Sequence, residues 1–168
     1  MTAVDTTTST LTEPQLGLLY QYTVEAYKTF QKLAENLPNP MSAMAFKQFA
    51  SDERGNRDLL ELKIAAVGQP SVRATLGADM QFDEIHEGDL SYREAAEFLI
   101  AREKTMQRRI EELLKGSLAG DRNLLIYLAG VKRAHAVELD RELTLIRGDA
   151  DWWKREDAEW RIVHGHPE

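Results

Sequence analysis

Four ionisable residues of this 168-residue chain, Glu25, Glu53, Glu103 and His135, fall on helix faces that are otherwise apolar. Glu103 is preceded by Leu99 and Ile100 and followed by Met106 and Ile110, a three-and-four spacing that puts all five on one side of a helix. A carboxylate taken out of water costs several kcal/mol unless a cation or hydrogen bonds compensate. Three brought together therefore demand counter-charge. The positions also echo one another. Phe49-Ala-Ser-Asp-Glu-Arg-Gly-Asn56 sets Glu53 and Asn56 three apart, and Leu128-Ala-Gly-Val-Lys-Arg-Ala-His135 does the same for Lys132 and His135. Glu25 lies 28 positions before Glu53, and Glu103 lies 29 before Lys132. This pattern reads as a duplicated helical hairpin with a polar cluster where four helices meet.

The counter-charge has two possible sources: a metal ion, or Lys132 and His135 acting as fixed cations. A third reading is that the helix phases differ by one residue and some of these groups reach solvent.

Along the chain, residues 1–12 are rich in threonine and read as a flexible leader. A first helix is expected from Glu13 to about Leu37, capped by Thr12 with Pro14 in its first turn, and with Leu16, Leu19, Tyr22, Ala26, Phe30 and Leu33 facing inward. Pro38 and Pro40 end it. A second helix is expected from Ser42 to about Val67, with Met44, Phe46, Phe49, Ala50, Leu60 and Ile64 inside; the short link makes the two antiparallel neighbours.

From Gly68 to Leu90 the periodicity fails. A 26-residue helix is ~40 Å long, whereas more than twenty extended residues reach over ~60 Å, so this stretch can carry the chain back along a bundle. Ser91 and Glu94 have capping-box spacing for a third helix running to about Lys115. After a turn at Gly116–Gly120, a fourth helix is expected over Asp121–Arg147, closed by Gly148, with Leu124, Leu128, Val131, Leu139, Leu143 and Ile146 inside. The domain is thus 13–148. Residues 149–168 form a short tryptophan-rich C-terminal helix and tail, in which Trp152, Trp153 and Trp160 need a surface to cover and offer a contact for a protein partner.

Composition narrows the chemistry. A net charge of −7 without a basic block argues against nucleic-acid binding. The absence of cysteine excludes disulfides, thiolate zinc sites and iron–sulfur clusters, leaving carboxylate, imidazole or amide as metal ligands. No apolar run approaches the ~20 residues that span a bilayer, and the start lacks a signal-peptide pattern. A cytoplasmic protein without membrane association is expected.

In order and spacing, these fragments resemble the rubrerythrin branch of the ferritin-like superfamily over Leu16 to Arg147. Glu25, Phe30, Leu33 and Ala34 match the family's first-helix rhythm. Phe49-Ala-x-x-Glu53-x-x-Asn56 and Leu128-Ala-x-x-Lys132-x-x-His135 stand where the family has Glu-x-x-His, and Asp89-Leu-Ser-Tyr-Arg-Glu-Ala and Ala101-Arg-Glu103-Lys complete the second half. The resemblance implies an all-α, ferritin-like four-helix bundle with one long crossover between helices 2 and 3 and a short C-terminal helix. It also implies a carboxylate-bridged di-iron centre and a homodimer.

Asn56 and Lys132 depart from the implied ligand set, one replacing a histidine and the other a bridging glutamate. Glu25, Glu53 and Glu103 with a protonated Lys132 carry −2, enough for one divalent ion. An ammonium would also repel a metal ~4 Å away by several kcal/mol at an effective dielectric of about 20. The expectation is a degenerate site whose metal ligands are Glu53, Glu103, His135 and Glu25. It would bind one divalent ion (Fe, Mn or Zn) or none, and a full di-iron centre is not expected. Without an ion, Lys132 pairs with Glu25 or Glu53. The bundle then has a structural or interaction role. The alternative is an active non-haem iron oxidoreductase or iron-handling protein, with water, Glu97 or Glu138 supplying missing ligands.

Overall fold

A computed structural model describes residues 11–37, 40–66, 74–87 and 92–147. They form five helices: α1 (Glu13–Asn36), α2 (Pro40–Ala66), α3 (Asp83–Glu87), α4 (Tyr92–Lys115) and α5 (Ala119–Arg147). There is no strand among the described residues.

The start of α1 follows from local chemistry. The Thr12 hydroxyl accepts from the Gln15 amide at 3.3 Å, and the Gln15 side-chain oxygen accepts from the Thr12 amide at 2.9 Å. Pro14 occupies the first turn, where its missing donor costs nothing. Leu11, at the end of the expected leader, is buried in the core.

All six apolar residues expected inside α1 are buried. In α2 the buried line is Ser42, Phe46, Phe49, Glu53, Asn56, Leu60 and Ile64, at steps of three and four. Met44 stands two residues from Ser42 and Phe46, on the opposite side of the helix, and is 71% exposed rather than inside. In α5, Leu125 takes the core position and Leu124 is half-buried.

The helices pair through identifiable contacts. Between α1 and α2, Tyr20 donates to Glu61 at 2.8 Å, Arg57 lies over the Tyr27 ring, and Phe30 packs against Phe46 and Phe49. As position rises along α1 it falls along α2, so the pair is antiparallel. Between α2 and α5, Ser42 donates to Glu142 at 2.6 Å, Glu53 meets Lys132, and Lys63 meets Asp121 at 2.7 Å. These two are antiparallel as well. The three-residue turn after Lys115 folds α5 back along α4.

The stretch read as aperiodic contains α3 and three core residues, Met80, Phe82 and Ile85. It lies against α1 and α4. Arg102 donates to the carbonyls of Ala78 at 2.8 Å and Gln81 at 3.0 Å, Phe82 packs on Tyr22, and Thr29 Oγ1 is 2.9 Å from His86 Nε2. No described helix is long and apolar enough to cross a membrane. Ser91, Gly148 and the three tryptophans lie outside the described residues.

Candidate functional site: a buried charged cluster

The buried line of α2 carries Glu53 and Asn56 into the core, α4 contributes Glu103, and α5 contributes Lys132 and His135. All five side chains are within about 2% of complete burial. The duplicated three-residue spacing is what directs Glu53 with Asn56, and Lys132 with His135, to the same level of two facing helices.

The contacts form one network. The Lys132 ammonium is ion-paired with Glu53 Oε1 and lies 3.8 Å from Glu103 Oε2 and 5.0 Å from the centre of the Tyr22 ring. His135 Nδ1 is 2.7 Å from Glu103 Oε1, and its Nε2 is 2.9 Å from Asp52 Oδ2. The Tyr22 hydroxyl donates to Glu103 Oε2 at 2.8 Å. The Asn56 amide donates to Glu53 Oε2 at the long distance of 3.5 Å, and its Oδ1 is buried without a partner among the described residues. Phe49 and Phe30 wall the imidazole, with ring centres 4.3 and 5.5 Å away.

Two of these participants, Tyr22 and Asp52, were missed in the sequence reading. Tyr22 had the signal of a core aromatic, but its hydroxyl partner lies 81 residues away. Asp52 had no signal beyond being next to Glu53.

Glu25 is not part of the cluster. It stands on the shoulder of α1, one position from the buried Ala26, with its side chain 32% exposed. It accepts from Gln21 at 3.0 Å, lies 3.9 Å from Lys28, and borders a surface cavity of about 310 Å³ shared with Gln81, Asp83 and His86. The one-residue phase alternative therefore holds for Glu25. Glu97 pairs with Arg93 and Glu138 with Arg141 on the surface.

Burial opposes every charge in the cluster, and the partners decide which survive. Burial works against the imidazolium of His135, but the hydrogen bonds to Asp52 and Glu103 outweigh it and raise its pKa to about 9. Lys132 is likewise disfavoured by burial and more than compensated by Glu103 and Glu53, so it stays an ammonium. Burial lifts the Glu53 carboxyl, and Lys132 limits the rise. For Glu103 the order reverses: Lys132, His135 and Tyr22 together outweigh burial and lower its pKa. Burial and the neighbouring Glu103 charge push the Tyr22 phenol well above its ordinary value. Lys132 and His135 thus supply two buried positive charges against Glu53, which burial pushes toward its neutral form, and Glu103, which its partners hold toward the anion.

Glu53, Glu103 and His135 each offer one ligand atom, and these lie within 4.8 Å of one another, so the group could hold a metal ion. The protein's own cations fill that role in the observed arrangement. Glu53 is taken by Lys132, and an imidazole donating from both nitrogens has no lone pair for a metal. An ion could enter only if the ammonium withdrew and His135 gave up its Nδ1 proton.

Compared with known proteins, the chain matches no family model, no curated protein and no solved structure.

Proposed function

We propose that this protein is a ferritin-like four-helix bundle of the rubrerythrin kind whose carboxylate centre has been closed by a lysine, leaving a structural or interaction module. The observation that carries this reading is the Lys132 ammonium resting on Glu53 and 3.8 Å from Glu103. It stands where the family resemblance calls for a metal bridged by carboxylates. Supporting it, α2 and α4 both run antiparallel to α5, so the link between them must return along the bundle. The described part of that link lies against α1 and α4.

A di-iron oxidoreductase needs four carboxylates and two imidazoles around its ions. This cluster holds two buried glutamates and one histidine, with Glu25 outside it. A second reading, one divalent ion (Fe, Mn or Zn) on Glu53, Glu103 and His135, is favoured by the 4.8 Å clustering of their ligand atoms. It requires Lys132 to be displaced.

Metal analysis of the untagged full chain tests both readings. Well under one metal per chain is expected; a stoichiometric single ion establishes the second reading, and near two irons per chain overturns both. A sharper test is the Lys132→Glu, Asn56→His double variant. It should gain tight divalent-metal binding if the cluster derives from a metal centre. A folded variant that gains none counts against the family assignment.

A further inference from the structure

Between α1 and α2 lies a cavity of about 430 Å³, within the roughly 300–1,000 Å³ of small-molecule sites. Tyr27, Gln31 and Ala34 line it from α1, and Lys47, Ala50 and Arg54 from α2, at helical steps of three and four that keep each set on one flank. The antiparallel register fixed by Tyr20 on Glu61 and Arg57 on Tyr27 puts Tyr27 and Arg54 at one end, Glu35 and Lys47 at the other, and Ala34 and Ala50 between. The hollow exists because the two middle positions carry only methyl groups. From Arg54 to Lys47 it spans about 10 Å along α2.

The polar lining is rich in donors. The Tyr27 and Ser51 hydroxyls and the Lys47 and Arg54 side chains all have hydrogens to give, and none of them donates to another described residue. Asp58, one turn from Arg54, pairs instead with Arg57 at 3.7 Å, and Arg57 in turn lies 5.6 Å from the centre of the Tyr27 ring. The Arg57 Nε is buried without a partner among the described residues. Positive charge therefore collects at the end formed by Tyr27 and Arg54.

The one acid of the lining, Glu35, stands at the far end and accepts from Gln31 at 3.3 Å. In a chain whose acids outnumber its bases 28 to 21, a cavity with two bases to one acid runs against the overall balance.

We infer that this cavity binds a small amphipathic anion, its acidic head on Arg54 and its apolar body over Ala34 and Ala50. The Arg54 guanidinium presents parallel donors that match the oxygens of a carboxylate or a phosphate. Ser51, three residues before it on the same flank, adds a hydroxyl, and Tyr27 adds another from α1. The methyl floor and the Tyr27 ring give the body apolar contact. A cationic ligand would instead meet Arg54 and Lys47 with only Glu35 to offset them. The inference does not depend on what fills the buried cluster.

Fluorescence titration of the full chain with anilinonaphthalene sulfonate, an anion with a flat apolar body, tests it, with circular dichroism as the control for folding. One saturable site per chain is expected. Decanoate or decyl phosphate should displace the probe, and decylamine, which carries the opposite charge on the same body, should not. The tighter of the two displacing anions names the head as carboxylate or phosphate. Arg54→Gln should weaken binding about tenfold or more, the fold-change of one charge-assisted hydrogen bond. Ala34→Leu, which fills the hollow, should do the same, both with helicity unchanged. Arg54 is exposed, so its variant keeps the fold. No saturable binding, equal displacement by decylamine, or binding that both variants leave intact overturns the proposal. The last would place the probe on exposed apolar side chains such as Leu62 and Tyr127.

Discussion

Lys132 of α5 and Glu53 of α2 form an ion pair in which neither side chain is more than 1% exposed, 79 residues apart in sequence. A pair so completely removed from water is weak as a source of stability but expensive to break.

Lys132→Met should therefore destabilise the chain by about 3–5 kcal/mol, because Glu53 is left buried and without its cation. For a chain of this length that lowers the melting temperature by on the order of 10 °C. Adding Glu53→Leu removes the stranded carboxylate and should recover most of the loss. Calorimetry on the two single variants and the double completes the cycle; an additive double would show that the pair is not coupled.

His135 sets an alkaline limit on stability. Its folded pKa, about 9, lies above the ordinary 6.5. Its contribution is therefore fully present below about pH 6.5 and disappears as pH rises through about 9. The difference is worth about 3 kcal/mol at 1.36 kcal/mol per unit. Asp52 acts in the opposite sense: burial notwithstanding, its bond to His135 lowers its pKa, so its contribution holds above the ordinary carboxylate range and is lost on acidification. Urea unfolding between pH 6 and 10 should show stability falling from about pH 6.5 to about 9 and levelling off above. In His135→Gln the fall should be much shallower.

Tyr22→Phe removes one charge-assisted hydrogen bond from Glu103 and should cost about 1.5–3 kcal/mol. In the native wild type, one of the five tyrosines should resist alkaline ionisation followed at 295 nm, since burial and the Glu103 charge hold the Tyr22 phenol up. The resistant phenol should be missing from the variant's titration, with the other four unchanged.

Among the described residues, Asn56 has an unpaired buried oxygen and only a long bond to Glu53. Asn56→Leu, similar in volume, should change stability by less than about 1 kcal/mol in either direction, because a buried polar group with poor partners contributes little net stability. A loss of several kcal/mol on thermal denaturation would reveal a partner for Oδ1 that the protein atoms do not supply.

The extent of the helices and most of the core were legible in the sequence, because three-and-four spacing is set by the geometry of a single helix. The same spacing made Glu53, Glu103, Lys132 and His135 stand out as charges on apolar faces. It failed for Glu25 and Met44. With apolar residues on both sides, a shift of one position turns a side chain by about 100°, and only the neighbouring helix shows whether that turn ends in core or solvent. Glu25 lost the inner position to Ala26, and Met44 lost it to Ser42 and Phe46.

The residue types alone determined that an ammonium, Lys132, and an amide, Asn56, share the helical spacing of His135 and Glu53, since all four are plain in the chain. Only tertiary structure decided which acids Lys132 neutralises, that Tyr22 and Asp52 complete the network, and that His135 is committed at both nitrogens. The reason is physical. Periodicity records which side of a helix is dry, whereas a pairing across 79 or 81 residues depends on how deeply separate helices sit against one another, a quantity that no local pattern encodes.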